Sequence, residues 1–93
     1  MNIYIVSWKE TSINENLVYD VDVGTCDVAY KTEKEAIEQV SKLVKDKLSE
    51  LEYEFPEDID ENIDTETNEN GDWQQVSQGN DTFEYYVEEV IVD

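Results

Sequence analysis

The sequence contains no arginine and no histidine, and its six basic residues are all lysine. Without arginine, the chain has no bidentate donor for phosphate or carboxylate groups. Without histidine, it lacks the side chain most often used for acid–base catalysis near neutral pH and a common zinc ligand. These absences argue against phosphate-transfer enzymes, histidine-dependent hydrolases and most zinc sites.

Cysteine, proline and glycine are also scarce, with one Cys26, one Pro56 and three isolated glycines. A lone cysteine cannot form an internal disulfide, and no signal peptide is recognisable, so we expect a cytoplasmic protein of a bacterial host. No apolar run approaches the ~20 residues of a membrane helix. No cation near Cys26 in the sequence activates its thiol. We therefore expect no enzymatic activity, no catalytic residue, no cofactor and no membrane partner.

Acidic residues are abundant: 25 Asp and Glu side chains give the 93-residue chain a formal charge of −19. Such a chain is repelled by nucleic acids and by anionic membranes, so direct binding to either is not expected. Hydrophobic residues make up 39% of the sequence, which is too many for a wholly disordered acidic chain. The length fits one domain over residues 1–93.

Alternating β-branched and aromatic residues predict strands in both halves of the chain. In the second strand, Tyr19, Val21 and Val23 share one face with Leu17, and Asp20 and Asp22 point to the other. Gly24 interrupts that pattern, and a short extended piece follows it. The predicted strands cover residues 2–8, 17–23, 73–78 and 82–92, with the extended piece at 26–30.

The helix is predicted from its N-terminal cap and from its apolar spacing. Thr32 and Glu35 have the spacing of a capping box. Apolar residues then recur at steps of three and four up to Leu51, which predicts an amphipathic helix over about 33–52. The order β-β-α-β-β indicates an α+β fold, a small antiparallel sheet with one amphipathic helix on one face.

The segment that follows the helix is strongly acidic, since residues 50–72 contain 11 acidic side chains and no basic one. Pro56 disfavours helix at the residue before it, and we expect an acidic loop over about 53–72. Residues 58–69 partly match a calcium-binding EF-hand loop. Ile63 stands at the sixth position, where the sharp turn requires glycine. We therefore expect no metal site.

The acidic residues are unevenly distributed along the chain. Residues 31–47 carry five lysines and four acids, a net charge of +1, and the remainder carries one lysine and 21 acids, a net of −20. The predicted open face of the sheet carries carboxylates at i and i+2, about 6.5–7 Å apart, close to the spacing of DNA phosphates. The predicted partner-binding residues are Asp20, Asp22, Glu84, Tyr86 and Glu88 on the sheet, with Glu57, Asp58, Asp60, Glu61 and Asp64 in the loop.

Three stretches resemble small uncharacterised α+β proteins of bacterial, phage and prophage genomes. They are Ile3-Tyr4-Ile5-Val6, the helix entry from Ala29 to Ala36, and the C-terminal Tyr85-Tyr86-Val87-Glu88-Glu89-Val90-Ile91-Val92-Asp93. The resemblance covers about half of the chain and implies a fold. In size and charge the chain is also similar to phage DNA-mimic inhibitors, which include anti-CRISPR and anti-restriction proteins and inhibitors of uracil-DNA glycosylase.

These observations lead to one principal functional expectation and two alternatives. The first is a non-enzymatic inhibitor of phage or mobile-element origin, which occupies the positively charged nucleic-acid-binding site of a host protein. The second is an acidic adaptor or regulatory module that binds a basic protein without mimicking nucleic acid. The third is a structural homodimer, so the sequence leaves monomer and homodimer open.

Overall fold

A computed structural model describes residues 1–13, 16, 18–54 and 63–92 of the chain. In these residues the chain forms, in order, β1 (Asn2–Ile13), β2 (Tyr19–Tyr30), α1 (Glu33–Glu54), β3 (Ile63–Thr67), β4 (Trp73–Gln78) and β5 (Asp81–Ile91). The strands make one antiparallel sheet in the order β2-β1-β5-β4-β3, and α1 lies across one face. The predicted α+β class, with one helix on an antiparallel sheet, is confirmed.

The helix α1 begins as its capping residues predict. The backbone N–H of Glu35 donates to Thr32 Oγ1 at 3.2 Å, and the N–H of Ala36 donates to the Thr32 carbonyl at 3.3 Å. The Thr32 hydroxyl thus accepts one of the N–H groups that the first helical turn cannot satisfy internally, and its carbonyl accepts the first bond of the helix itself. Two Glu residues, Glu33 and Glu35, lie in that first turn, where negative charge suits the helix dipole.

The core lies between the apolar stripe of α1 and the three central strands. Val6, Val40 and Val76 are 0% exposed, one each from β1, α1 and β4. Burial of such a side chain contributes about 1.5–3 kcal/mol, so this small cluster provides much of the fold's stability. The buried hydrophobic residues are Val6, Ala36, Val40, Val44, Leu51, Val76, Phe83 and Tyr85.

Strand β2 continues through Gly24, where the sequence predicts an interruption. An ideal Cβ built on Gly24 would lie 2.5 Å from Cζ2 of Trp8, its cross-strand partner in β1. Glycine is therefore present because the indole lies against the backbone of β2, not because the strand ends. The irregularity comes later, where Ile5 pairs with Ala29 but Ser7 pairs with Thr25, so that β2 bulges between these two pairs.

The predicted loop over about 53–72 is only partly correct. Helix α1 reaches Glu54, and Ile63–Thr67 forms strand β3, which pairs with β4 from Ile63 opposite Gln78 to Thr67 opposite Gln74. The sequence of β3 alternates Ile or Thr with an acid, and β-branched residues favour strands. The loop is predicted from the many acidic residues around this segment, and the short alternation within it is missed. Residues 55–62 lie outside the described residues.

Candidate protein-binding surfaces

The strand register determines which side chains share a face of the sheet, because directly paired residues in an antiparallel ladder point the same way. In β1, Trp8 pairs with Tyr85 and Glu10 pairs with Phe83. Both partners belong to the core under α1. Even-numbered residues of β1 therefore lie on the helix face, and odd-numbered residues lie on the open face.

This register separates the four sheet carboxylates that were predicted to share the open face. Asp22 pairs with Glu10 and Asp20 pairs with Ser12, so both aspartates lie on the helix face. Glu84 pairs with Lys9 and Glu88 pairs with Ile5, so both glutamates lie on the open face. The prediction is wrong for Asp20 and Asp22, because the pattern within β2 does not reveal how β2 pairs with β1.

The open-face carboxylates are engaged within the sheet. Glu84 accepts a hydrogen bond from Trp73 Nε1 at 3.2 Å, and Glu88 accepts one from Ser7 Oγ at 3.1 Å. Tyr86, which we predicted to bind a partner, is half-buried between its cross-strand partners Ser7 and Trp73. The two hydrogen bonds occupy one acceptor oxygen of each carboxylate, and they reduce the hydrogen-bonding capacity that Glu84 and Glu88 can offer to a partner.

An exposed apolar strip runs along β2 on the open face. Tyr19, Val21 and Val23 are 66%, 55% and 64% exposed, and we call them the β2 strip. The sequence pattern predicts that these residues face the core. Their cross-strand partners Ile13, Thr11 and Lys9 are odd-numbered residues of β1, which places the strip opposite the helix. A contiguous exposed apolar strip of this kind is typical of a binding surface.

The other face of β2 carries an acidic depression. It is lined by Glu10, Ser12, Asp20 and Asp22, with Val21 at its edge, and its volume is about 430 Å³. Glu10 and Asp22 are direct cross-strand partners, and like charges in that position are destabilising. Among the described residues the only ion pair is Lys47–Glu50, at 3.3 Å, so neither Glu10 nor Asp22 forms an ion pair with a lysine there. A cationic group from outside would relieve the repulsion.

A second, apolar cavity of about 320 Å³ lies between α1 and the sheet, with Trp8, Cys26, Leu43, Phe83 and Tyr85 among its walls. The ammonium of Lys47 lies 4.4 Å from the centre of the Phe83 ring. Burial, with Glu10 and Glu50 adding to it, raises the pKa of Tyr85 to about 12. Burial and the charge of Asp27 raise the pKa of Cys26. Both groups thus stay protonated near neutral pH, and neither is activated for nucleophilic attack.

The remaining predicted binding residues belong to the acidic segment. Asp64 lies in β3, where it is exposed and pairs with Ser77 on the open face. Glu57, Asp58, Asp60 and Glu61 lie outside the described residues. Within the described ranges, no three His, Cys, Asp or Glu side chains come together as metal ligands. Of the predicted residues that lie in the described ranges, the structure brings together Asp20 with Asp22 and Glu84 with Glu88 and Tyr86. Sequence reasoning missed Glu10 because its cross-strand partner is not local in sequence.

Comparison with protein-family models, curated proteins and solved structures finds no match to this chain. In the part of the chain that the structure describes, no helix combines the length and the apolar character that a membrane crossing requires.

Proposed function

We propose that the chain is a non-enzymatic acidic inhibitor, of phage or mobile-element origin, that acts in the cytoplasm of a bacterial host. It occupies the positively charged nucleic-acid-binding site of a host protein, such as a CRISPR effector or a restriction enzyme. One observation carries the proposal: the sequence has 25 acidic residues and only six lysines, and the described residues contain a single ion pair. Most of the negative charge is therefore available to a basic partner.

The position of the acids on β2 supports electrostatic mimicry of a phosphate backbone. Asp20 and Asp22 are exposed at i and i+2 of one strand, about 6.5–7 Å apart, and Glu10 adds a third carboxylate from β1. Carboxylates held at this interval on a sheet keep their spacing, as phosphates on a duplex do. The summed field also accelerates encounter with a basic site at low salt.

Competition with nucleic acid tests the proposal. The chain is immobilised, exposed to nuclease-treated bacterial lysate at low salt, and then challenged with duplex DNA or, in parallel, with poly-glutamate of the same total charge. We expect DNA to release the retained protein at lower concentration than poly-glutamate does. We also expect the released protein, once purified, to lose DNA binding when the chain is added back. Retention that saturating duplex DNA and RNA leave unchanged would contradict the proposal.

An acidic adaptor, which binds a basic protein away from any nucleic-acid site, is the second candidate. The observation that favours it is the exposed β2 strip, because an apolar surface has no counterpart in a phosphate backbone. Salt dependence separates the two candidates. A nucleic-acid mimic loses affinity steeply as salt rises, and an adaptor that binds through Tyr19, Val21 and Val23 loses little.

A further inference from the structure

Strand β2 is an edge strand with an unpaired side in the described part of the chain. It pairs only with β1 there, in an unbroken ladder from Ile13 opposite Tyr19 to Ser7 opposite Thr25. In an antiparallel edge strand, alternate residues direct their N–H and C=O groups away from the sheet, and these groups can pair with another strand. The segment Tyr19–Thr25 therefore offers seven residues of regular edge.

This edge lacks most of the features that protect the edges of natural sheets. Its sequence, Tyr-Asp-Val-Asp-Val-Gly-Thr, has no proline and no lysine, and the bulge in β2 lies beyond it. The opposite edge, β3, is different because it has only five residues. A long and regular edge of valines and aspartates is suited to strand addition.

The two faces of the edge differ in chemistry. The open face presents the β2 strip, and the helix face presents the acidic depression of Glu10, Asp20 and Asp22. A strand added beside β2 has side chains that alternate between these faces with a period of two. Apolar and cationic residues must therefore alternate in that strand.

We propose that β2 binds an extended segment of a basic partner protein as a sixth strand of the sheet. Lysine or arginine side chains at alternate positions lie over the acidic depression and offset the repulsion between Glu10 and Asp22. The residues between them are β-branched or aromatic, and they extend the β2 strip. The proposal depends on the proposed function only for the positive charge of the partner, and it does not require that the partner bind nucleic acid.

A second copy of this chain fits the edge poorly. In half of the possible antiparallel registers of two β2 strands, Asp20 and Asp22 of one copy lie beside the same residues of the other copy on one face of the joined sheet. In the other half, the acidic residues of one strand lie beside the valines of the other. The first arrangement places like charges side by side, and the second mixes the apolar and acidic faces. A net charge of −19 on each copy adds long-range repulsion.

A synthetic peptide that alternates lysine with valine, labelled and capped at both ends, is the direct probe. A control peptide has the same composition with its lysines and valines in two blocks, and a second control has proline at its centre. We expect the alternating peptide to bind at least about tenfold more tightly than either control, because only it satisfies both faces and the backbone ladder. Amide exchange should slow over Tyr19–Thr25.

Two double variants with the same charge change locate the contact. Asp20→Lys/Asp22→Lys changes the edge of β2, and Asp64→Lys/Glu66→Lys makes the same i, i+2 change on β3. Circular dichroism is used to verify that both variants fold. If Asp20→Lys/Asp22→Lys does not fold, Asp20→Asn/Asp22→Asn replaces it. We expect the β2 variant to lose alternating-peptide binding and the β3 variant to keep most of it.

Three results of the peptide experiments would overturn the proposal. They are equal binding of the alternating and block peptides, equal losses in the β2 and β3 variants, and slowed exchange confined to other strands. A dimer that buries β2 would also overturn it, because a second copy would then occupy the edge. If the peptide binds at β2 but saturating DNA does not release the retained host proteins, the proposed inhibitor function is refuted and the strand-addition proposal is supported. If the peptide does not bind at β2 but DNA releases the retained proteins, the strand-addition proposal is refuted and the inhibitor function is supported.

Discussion

At the scale of single residues, the contact between Trp8 and Gly24 links the helix face to the edge strand. The Trp8 ring leaves no room for a Cβ at Gly24, since Cζ2 would lie 2.5 Å from it. Gly24→Ala should therefore displace the indole and destabilise the fold by about 1–3 kcal/mol, the usual cost of overpacking. Urea unfolding measures the loss.

The Trp8→Leu background is the matched control for this substitution. Leucine has no atom at the position of Cζ2, so Gly24→Ala should cost markedly less in that background. A double-mutant cycle gives the difference as the coupling energy of the two sites. An equal cost in both backgrounds would mean that strand conformation, and not the indole, requires glycine here.

Tyr85 makes the stability sensitive to alkaline pH. Its pKa is raised to about 12 in the folded protein, against an ordinary value of 10.0. Below about pH 10, the Tyr85 hydroxyl is protonated in both the folded and the unfolded protein, so its contribution to stability is fully present. Between the two values only the unfolded chain releases the proton, so the free energy of unfolding falls by up to about 1.4 kcal/mol per pH unit.

Tyr85→Phe should remove this alkaline loss. We expect the variant and the parent to differ little at about pH 8 and the variant to lose much less stability between there and about pH 11. Urea unfolding at both pH values is the measurement. Parallel losses in the two proteins would assign the alkaline sensitivity to other groups.

At the scale of elements, the cap of α1 has a predictable energetic weight. Thr32→Ala removes the acceptor of the Glu35 N–H and should cost about 1 kcal/mol in the free energy of unfolding. Thr32→Ser keeps an oxygen at that position and should retain most of the stability. If the Ser and Ala variants lose the same amount, the hydroxyl does not stabilise the helix.

The same scale explains what the sequence predicts well and what it does not. Helix α1 is predicted closely because the signals at Thr32 and along its apolar stripe are local. The predicted orientation of β2 is wrong because the face that each residue occupies depends on pairing with β1. As an edge strand, β2 also leaves its valines exposed, although their pattern predicts burial. Strand β3 is missed because its Ile-Asp-Thr-Glu-Thr alternation lies within an acidic run.

The candidate site shows the same division between local and non-local information. Sequence predicts Asp20 and Asp22 as a pair because their spacing along one strand is local. It assigns Glu84 and Glu88 to the same surface, although the register places them on the other side of the sheet. Glu10 completes the acidic depression only through its pairing with Asp22, which no motif within either strand encodes.

At the scale of the whole molecule, charge opposes the fold. A formal charge of −19 is spread over a body whose longest dimension is 47 Å, and the described residues contain one ion pair. At 0.01 M salt the screening length is about 30 Å, so charges on opposite sides of the molecule repel one another. At 0.15 M it falls to about 8 Å, and only near neighbours interact.

Added sodium chloride should therefore stabilise the protein, with most of the gain below about 0.15 M. Thermal unfolding at fixed pH across a salt series gives the slope. Asp64→Asn/Glu66→Gln removes two negative charges from exposed positions of β3 and should reduce that slope. Thr32→Ala lowers stability without changing charge and should leave the slope as it is. A melting temperature that falls with salt would mean that attractive pairs outweigh self-repulsion, and the acids would then be less available to a basic partner than we propose.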